Sequence, residues 1–481
     1  MNHPDVTSGC PLCPRLPYGG QVCGEIHFIT GSESLSIRRR AMTTRVLIMG
    51  AAGKDFHVFN TLYRDNPNYQ VAVFTATQIP HIDDRRYPPE LAGNLYPEGI
   101  PIKSERFLIS LIKTERINEV VFAYSDVSYD YIAERQKKVE AAGASFKLST
   151  TDGVMLKSKK PVIAVCAVRT GAGKSPTTRR IADILKAKGR RAVVVRHPMP
   201  YGNLVAQVVE RYETLADLNK YNCTIEERED YEPHLKRGLL VFAGVDYSRV
   251  LAQAEKEADV IIWDGGNNDI PFFKPDLYIT VADPLRPGHE LSYYPGRINF
   301  ENADVILINK VDAAKPEDVE SIINNARKYN PKAQIIQAKS IILVDNPSAI
   351  KDKKVLVIED GPTVTHGGMG YGAGYLAATK YGARELIDPR PYARGEIKEI
   401  FNKYPHIGPL LPAVGYTKSG SQDLEETINK TPAELVIIAT PTDLGRYLKI
   451  NKPYLYITYE LEEISKPNEM SPTLKELLER F

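Results

Sequence analysis

Across residues 42–155, short apolar runs alternate with segments whose apolar positions recur at helical spacing. RVLIMG, YQVAVFTAT, EVVFAYS and the short SFKLST read as strands, with helices at DFHVFNTLYRDN, ERFLISLIKTER and YIAERQKKVEAAG between them. This alternation predicts a parallel sheet covered on both faces, in a Rossmann-like domain. The pattern resumes at Val162–Ala167, six apolar residues in a row, followed by TGAGKS and the helical IADILKAKG. Strands at RAVVVRH, ADVIIWDGG, DLYITVAD and ADVILINKVD make residues 156–345 a second α/β domain with a parallel sheet. KKVLVIED, LEETINKT and ELVIIATPTDL predict strand, helix and strand in a third α/β domain over 346–481, closed by an amphipathic helix at SPTLKELLERF. Residues 1–41 sustain no period and read as a disordered extension ahead of Met42.

The strand–TGAGKS–helix stretch carries the strongest chemistry. Backbone N–H groups at a helix N-terminus offer donors and a positive dipole end to phosphate without side-chain bulk. Thr170, Gly171, Ala172, Gly173, Lys174, Ser175 and Pro176 are thus nucleotide-binding candidates, and the second domain is a P-loop NTPase domain. Lys174 reaches the β- and γ-phosphates, and the Ser175 hydroxyl is a Mg²⁺ ligand. Val168 stands where the usual phosphate loop has its first glycine. The run from Arg169 to Ser175 instead resembles the K-G-G-x-G-K-[ST] of dimeric P-loop ATPases, with Arg169 in the slot of a lysine that acts across a subunit interface. That resemblance implies a homodimer with Arg169 catalytic in trans; binding substrate within its own subunit is the alternative.

Asp264 ends the apolar strand ADVIIWD and is the candidate acid for Mg²⁺ and catalysis, with Asp269 in reserve. Asn309, Lys310 and Asp312 spell N-K-V-D at a strand end, the pattern that reads guanine, which keeps GTP open beside ATP. Arg196, His197, Arg286, His289 and Arg297 lie on loops after strands and, with His366 in the glycine-rich THGGMGYGAG, are candidates for an anionic substrate. Asp360, Thr363 and Asp443 are placed near the phosphates or in packing, with both readings open. Gly50-Ala51-Ala52-Gly53, with Lys54 and Asp55 after it, is a turn that either approaches a phosphate or packs helix on strand. The proline-rich loop with His81, Arg85, Arg86 and Tyr87 is a substrate or interface candidate.

Composition narrows the classes. The 481 residues exceed one core, and 62 Lys and Arg against 60 Asp and Glu leave a formal charge of +2, which gives no ground for nucleic acid or membrane partners. No apolar run reaches the ~20 residues of a membrane span. Of five cysteines, Cys10, Cys13 and Cys23 sit in the extension, where with His3 and His27 they make only a weak zinc pattern. Cys166 and Cys223 are left for the rest, as expected of a reduced, cytoplasmic protein.

Taken together, GAAGKDFHVFN, RRYPPELAGNLYPEGIPI, LKSKKPVIAVCAVRTGAGKS, RHPMPYG, WDGGNND, DPLRPGHE, INKVD and EDGPTVTHGGMGYGAG resemble the cyclic 2,3-diphosphoglycerate synthetase family, also called predicted GTPases. The resemblance implies ATP- and Mg²⁺-dependent closure of 2,3-diphosphoglycerate to its internal pyrophosphate, a ligase reaction on a small anionic phosphorylated substrate. A regulatory GTPase or metal-delivery chaperone, and a small-molecule kinase, are the competing readings.

Overall fold

The computed structural model describes residues 43–77, 82, 84–151, 153–198, 202–266, 269–415, 418–464 and 472–481. The extension with its three cysteines, His81, and Asn267 and Asn268 of WDGGNND lie outside the described residues.

The first sheet has six strands, in the order Arg86–Tyr87, Ile100–Ser104, Tyr69–Ala76, Thr44–Met49, Glu119–Phe122, Ser145–Leu148. All pairs are parallel except the short Arg86–Tyr87 edge. Its alternation of strand and helix is the predicted Rossmann-like arrangement. The domain does not stand alone, because Phe56 and Phe59 of its first helical segment share one core with Val195, Trp263 and Phe272 of the phosphate-loop domain.

The second sheet centres on Val162–Ala167, buried at every position between Val260–Gly265 and Leu277–Ala282. Fully buried parallel strands of this kind need continuous apolar runs, which is why they were legible. The sheet does not stop at residue 345. Gln334–Val344 pairs in its first half, parallel, with Val305–Ile308, and in its second half, antiparallel, with Tyr454–Glu463. Tyr454–Glu463 then joins Leu435–Ala439, which joins Lys354–Asp360. The predicted second and third domains therefore form one continuous sheet. The chain end also returns: Leu474, Leu478 and Phe481 pack in the core over Ile163 and Val165. The boundary expected at 345 falls at the end of the connecting strand, and the predicted last helix shrinks to Leu474–Leu477 plus one tighter turn. Among the described residues no helix is long and apolar enough to cross a membrane.

Candidate active site

The chain leaves Val162–Ala167, turns through residues 168–173 and enters the helix Lys174–Ala187. Gly171 and Gly173 take φ of +79° and +118°, left-handed values that suit glycine and let successive amides face one side. Thr170, Gly171, Gly173, Lys174, Ser175 and Pro176 line one cavity with Asn309, Lys310 and Asp312. Ala172 is buried beneath the loop, and its carbonyl accepts from Asn309 Nδ2 at 3.0 Å. Lys310 Nζ donates to the Gly171 carbonyl at 2.6 Å and pairs with Asp283 at 2.9 Å. Asn309 and Lys310 thus brace the phosphate loop, while Asp312 lines the cavity beside Ala313 and Leu285.

Lys174 Nζ lies 2.7 Å from Asp264 Oδ1, and the other oxygen of that carboxylate meets Arg196 at 2.7 Å and His234 at 3.2 Å. Burial by itself would raise the Asp264 pKa; Arg196 and Lys174 override it and hold the group well below the usual carboxylate range. Asp264 is therefore an anion at the strand tip. Ser175 lines the cavity and Asp264 lies behind Lys174, and both are the hard oxygen donors that a magnesium ion prefers. Among the described residues no three His, Cys, Asp or Glu converge to hold a metal by themselves.

The six residues expected to bind substrate divide sharply. Only Arg196 lines the cavity, and it is committed to Asp264 and Asp230. His197 is wedged between two glycines, so close that a Cβ on Gly53 or Gly266 would come within 2.8 or 2.5 Å of its Nδ1. It also pairs with Asp269 at 3.2 Å, and burial drives its pKa well down, so it packs domains together as a neutral ring. Arg286 is held by Asp283 at 2.6 Å and by the carbonyls of Thr170 and Gly367. His289 contacts Arg169 at 2.7 Å, and burial takes its pKa to about 4. His366 is also neutralised by burial, and its carbonyl accepts from Arg169. Arg297 is half-exposed on the helix Gly296–Asn302, paired with Glu301 at 2.7 Å, away from the cavity.

Arg169 is tied within its own chain. It lines the cavity but is 3% exposed, pairs with Asp126 of the first domain at 2.7 Å and lies over the Tyr293 ring at 3.7 Å. The same Asp126 accepts from the Thr170 amide at 3.3 Å, so Arg169 joins two parts of its own chain. In the proline-rich loop, Arg85 and Arg86 donate to the carbonyls of Gly202 and Gly99, and Tyr87 is buried against Phe56. Thr363 and Asp360 line the cavity, hydrogen-bonded to each other, whereas Asp443 caps a short turn elsewhere.

The opposite wall is acidic. Glu226, Glu229 and Asp230, on the helix Ile225–Leu235, line the cavity with Glu359 and Asp360. None of these five residues except Asp360 is among the candidates drawn from the sequence. Positions 226, 229 and 230 are three and four apart, so they share one helix face, and that spacing was the available signal. Burial pushes Glu359 up to about 8 and raises Glu229 and Asp360, with the neighbouring carboxylates adding to the rise on Glu229.

An amide-lined loop between a buried parallel strand and a helix, with its lysine drawn onto the acid of the adjacent strand, makes this a P-loop nucleotide-binding α/β protein. The sequence is 57% identical to the arginine synthetase ArcE of Thermococcus kodakarensis over 437 residues, 91% of this chain and 96% of that protein. The chain belongs to the family of that synthetase and is a nucleotide-dependent ligase. A cyclic 2,3-diphosphoglycerate synthetase of Thermococcus gammatolerans is 26% identical over 98 residues, 20% of this chain and 22% of that one. No family model matches. A crystal structure of LpxK from Aquifex aeolicus in complex with ATP superposes with a TM-score of 0.41 at 13% identity, covering 78% of this chain and 99% of that one.

Proposed function

We propose that this protein makes arginine by joining ammonia to the ureido carbon of citrulline at the expense of ATP. The observation that carries this reading is the pairing of a phosphate loop with an acidic wall in one cavity. A substrate with two phosphates and a carboxylate calls for spare cations, yet Arg169 pairs with Asp126, Arg196 with Asp230, and Arg286 and Lys310 share Asp283. A wall of Glu226, Glu229, Asp230, Glu359 and Asp360 suits ammonium and the guanidinium of an arginine product instead. The high identity to a synthetase named for arginine supports the same choice.

Arginine differs from citrulline by one nitrogen in place of the ureido oxygen. That oxygen is a poor leaving group, and phosphoryl transfer from the nucleotide converts it to phosphate. The loop amides and Lys174 hold the phosphates in line and meet the developing charge. Magnesium, held by Ser175 and Asp264, would neutralise the nucleotide's phosphates when bound. Asp264, anionic before the nucleotide arrives, keeps the Lys174 ammonium at the loop mouth.

The test is incubation of the purified protein with citrulline, ammonium, magnesium and either ATP or GTP. Arginine, nucleoside diphosphate and phosphate should appear in equal amounts. Nucleotide hydrolysis indifferent to citrulline would favour a GTPase switch, and cyclisation of 2,3-diphosphoglycerate would restore the phosphorylated-acid reading.

A further inference from the structure

The helix Ile225–Leu235 carries five carboxylates, and three have structural tasks. Glu227 closes a capping box with Thr224, accepting from its amide at 2.9 Å. Glu232 pairs with Lys236 at 2.7 Å and accepts from the Tyr447 hydroxyl at 2.9 Å. Asp230 pairs with Arg196. Glu229 is different: the residue is 5% exposed, it lines the cavity, and both its carboxylate oxygens are buried without a hydrogen-bond partner. Buried polar atoms are nearly always satisfied in folded proteins, so two orphaned oxygens on one cavity wall mark a missing partner.

The surroundings define that partner. Asp360, Glu226 and Asp230 all act on Glu229 electrostatically, and Asp230 also pairs with the Arg196 guanidinium. The partner must bring positive charge and donate hydrogen bonds. Donated hydrogen bonds come from N–H groups, so the partner that answers both requirements is a nitrogen cation. Arg196 links this wall to the phosphate loop, since it pairs with both Asp230 and Asp264 and Asp264 pairs with Lys174. A cation at Glu229 would therefore sit in the cavity that receives the phosphoryl group.

Resting on the reading of the protein as an arginine-forming ligase, we propose that Glu229 is the binding site for ammonium and the acceptor of its proton. Ammonium gives one proton to a Glu229 oxygen, which frees the nitrogen lone pair. The nitrogen then attacks the phosphorylated ureido carbon, so that a C–N bond forms and the C–O bond to phosphate breaks. Phosphate departs with the bond electrons and one of the remaining nitrogen-bound protons, leaving the guanidinium cation. Glu229 returns its proton to solvent, one per turnover.

The same carboxylate chemistry would suit the α-ammonium of the amino acid, and substrate kinetics separate the two. Glu229→Gln keeps the shape and removes the charge. Its apparent KM for ammonium should rise by about tenfold or more, with the citrulline KM within about twofold of wild type, as expected when one charge-assisted partner is lost. A rise confined to citrulline, or no change in either, overturns the proposal. Titration of the resting enzyme with ammonium chloride against sodium chloride, followed by ¹⁵N-ammonium relaxation, reads the subsite without turnover. Ammonium binding that is lost in Glu229→Gln supports the subsite even if no arginine is formed, in which case only the reaction fails. Arginine formation with unaltered ammonium binding removes the subsite alone. Glu229→Asp, which retains the charge one methylene further back, should recover part of the ammonium binding and serves if the Gln variant does not fold.

Discussion

The chain builds two turns of the same outline, and they do opposite things. Each follows a buried parallel strand, contains closely spaced glycines and ends in Gly-Lys: Gly50 to Lys54 in the first domain, Gly171 to Lys174 in the second. At the first, Asp55 folds back so that its carboxylate accepts from the Ala52 amide at 2.8 Å. Lys54 is buried and donates to the Tyr294 hydroxyl at 2.8 Å. At the second, Gly171, Gly173, Lys174 and Ser175 line a cavity, the Thr170 amide is taken by Asp126, and Lys174 is ion-paired with Asp264. The first turn carries its own carboxyl group three residues after Ala52, where the second has no acid in its first helical turn. Glycine spacing alone does not make a phosphate site; the next turn of helix has to leave the amides free.

The largest expected effect comes from exchanging the roles of the two lysines. Lys174→Ala should reduce nucleotide-driven turnover by about a thousandfold with the circular-dichroism melt preserved, because its amine acts on transferred phosphate. Lys54→Ala should leave turnover within about tenfold, because its amine meets only protein atoms. Comparable losses in both variants would erase the distinction between the turns.

Next comes the tie between the first domain and the phosphate loop. Asp126→Ala leaves Arg169 buried without its carboxylate and removes the acceptor of the Thr170 amide, a change expected to cost ~3–5 kcal/mol by denaturant unfolding. Wild-type unfolding would show that the ion pair adds nothing, and that Arg169 is free to act elsewhere, including across a subunit interface.

Local grammar explains what the sequence made legible. Val162–Ala167, TGAGKS and the helix after it are contiguous, so strand, loop and cap could be read together. Asp264 stood out as an acid at the tip of an apolar strand. What stayed hidden was pairing at a distance. Arg169 and Asp126 are 43 residues apart, and no periodicity relates them. Basic residues read as anion binders because what they meet appears only in the folded chain: Arg196 pairs with Asp230 and Asp264, His197 with Asp269, and His289 with Arg169. Glu229 was visible as charge, but its lack of a partner exists only in three dimensions. The continuous sheet escaped for the same reason, since Gln334–Val344 and Tyr454–Glu463 are joined by no local signal.

A smaller effect separates the turns by pH. Burial, opposed by Asp269 and Asp55, lowers the Lys54 pKa from 10.5 to about 8. The unfolded chain therefore binds more protons than the folded one between pH 8 and 10.5, and wild-type stability rises with pH across that window. Lys54→Met lacks this proton linkage, so its stability relative to wild type should fall as pH rises from 8 to 10 in thermal melts. A constant difference over that range would mean that Lys54 titrates as a solvated amine.

The smallest effect concerns the base beyond the second turn. Asn309 and Lys310 are occupied with the loop's own carbonyls, so only Asp312 of the N-K-V-D motif has a carboxylate available on the cavity wall. Guanine offers that carboxylate two donors, its ring N–H and exocyclic amine, whereas adenine has no such pair on the corresponding edge. Asp312→Asn should therefore lower kcat/KM for GTP by about tenfold or more and leave ATP within about twofold, as expected for loss of a charge-assisted hydrogen bond. Parallel losses with both nucleotides would make Asp312 a brace for the loop, like its two neighbours. A selective loss with GTP, in a protein that turns over ATP faster, would mean that a guanine-reading carboxylate persists in an enzyme driven by adenine nucleotide.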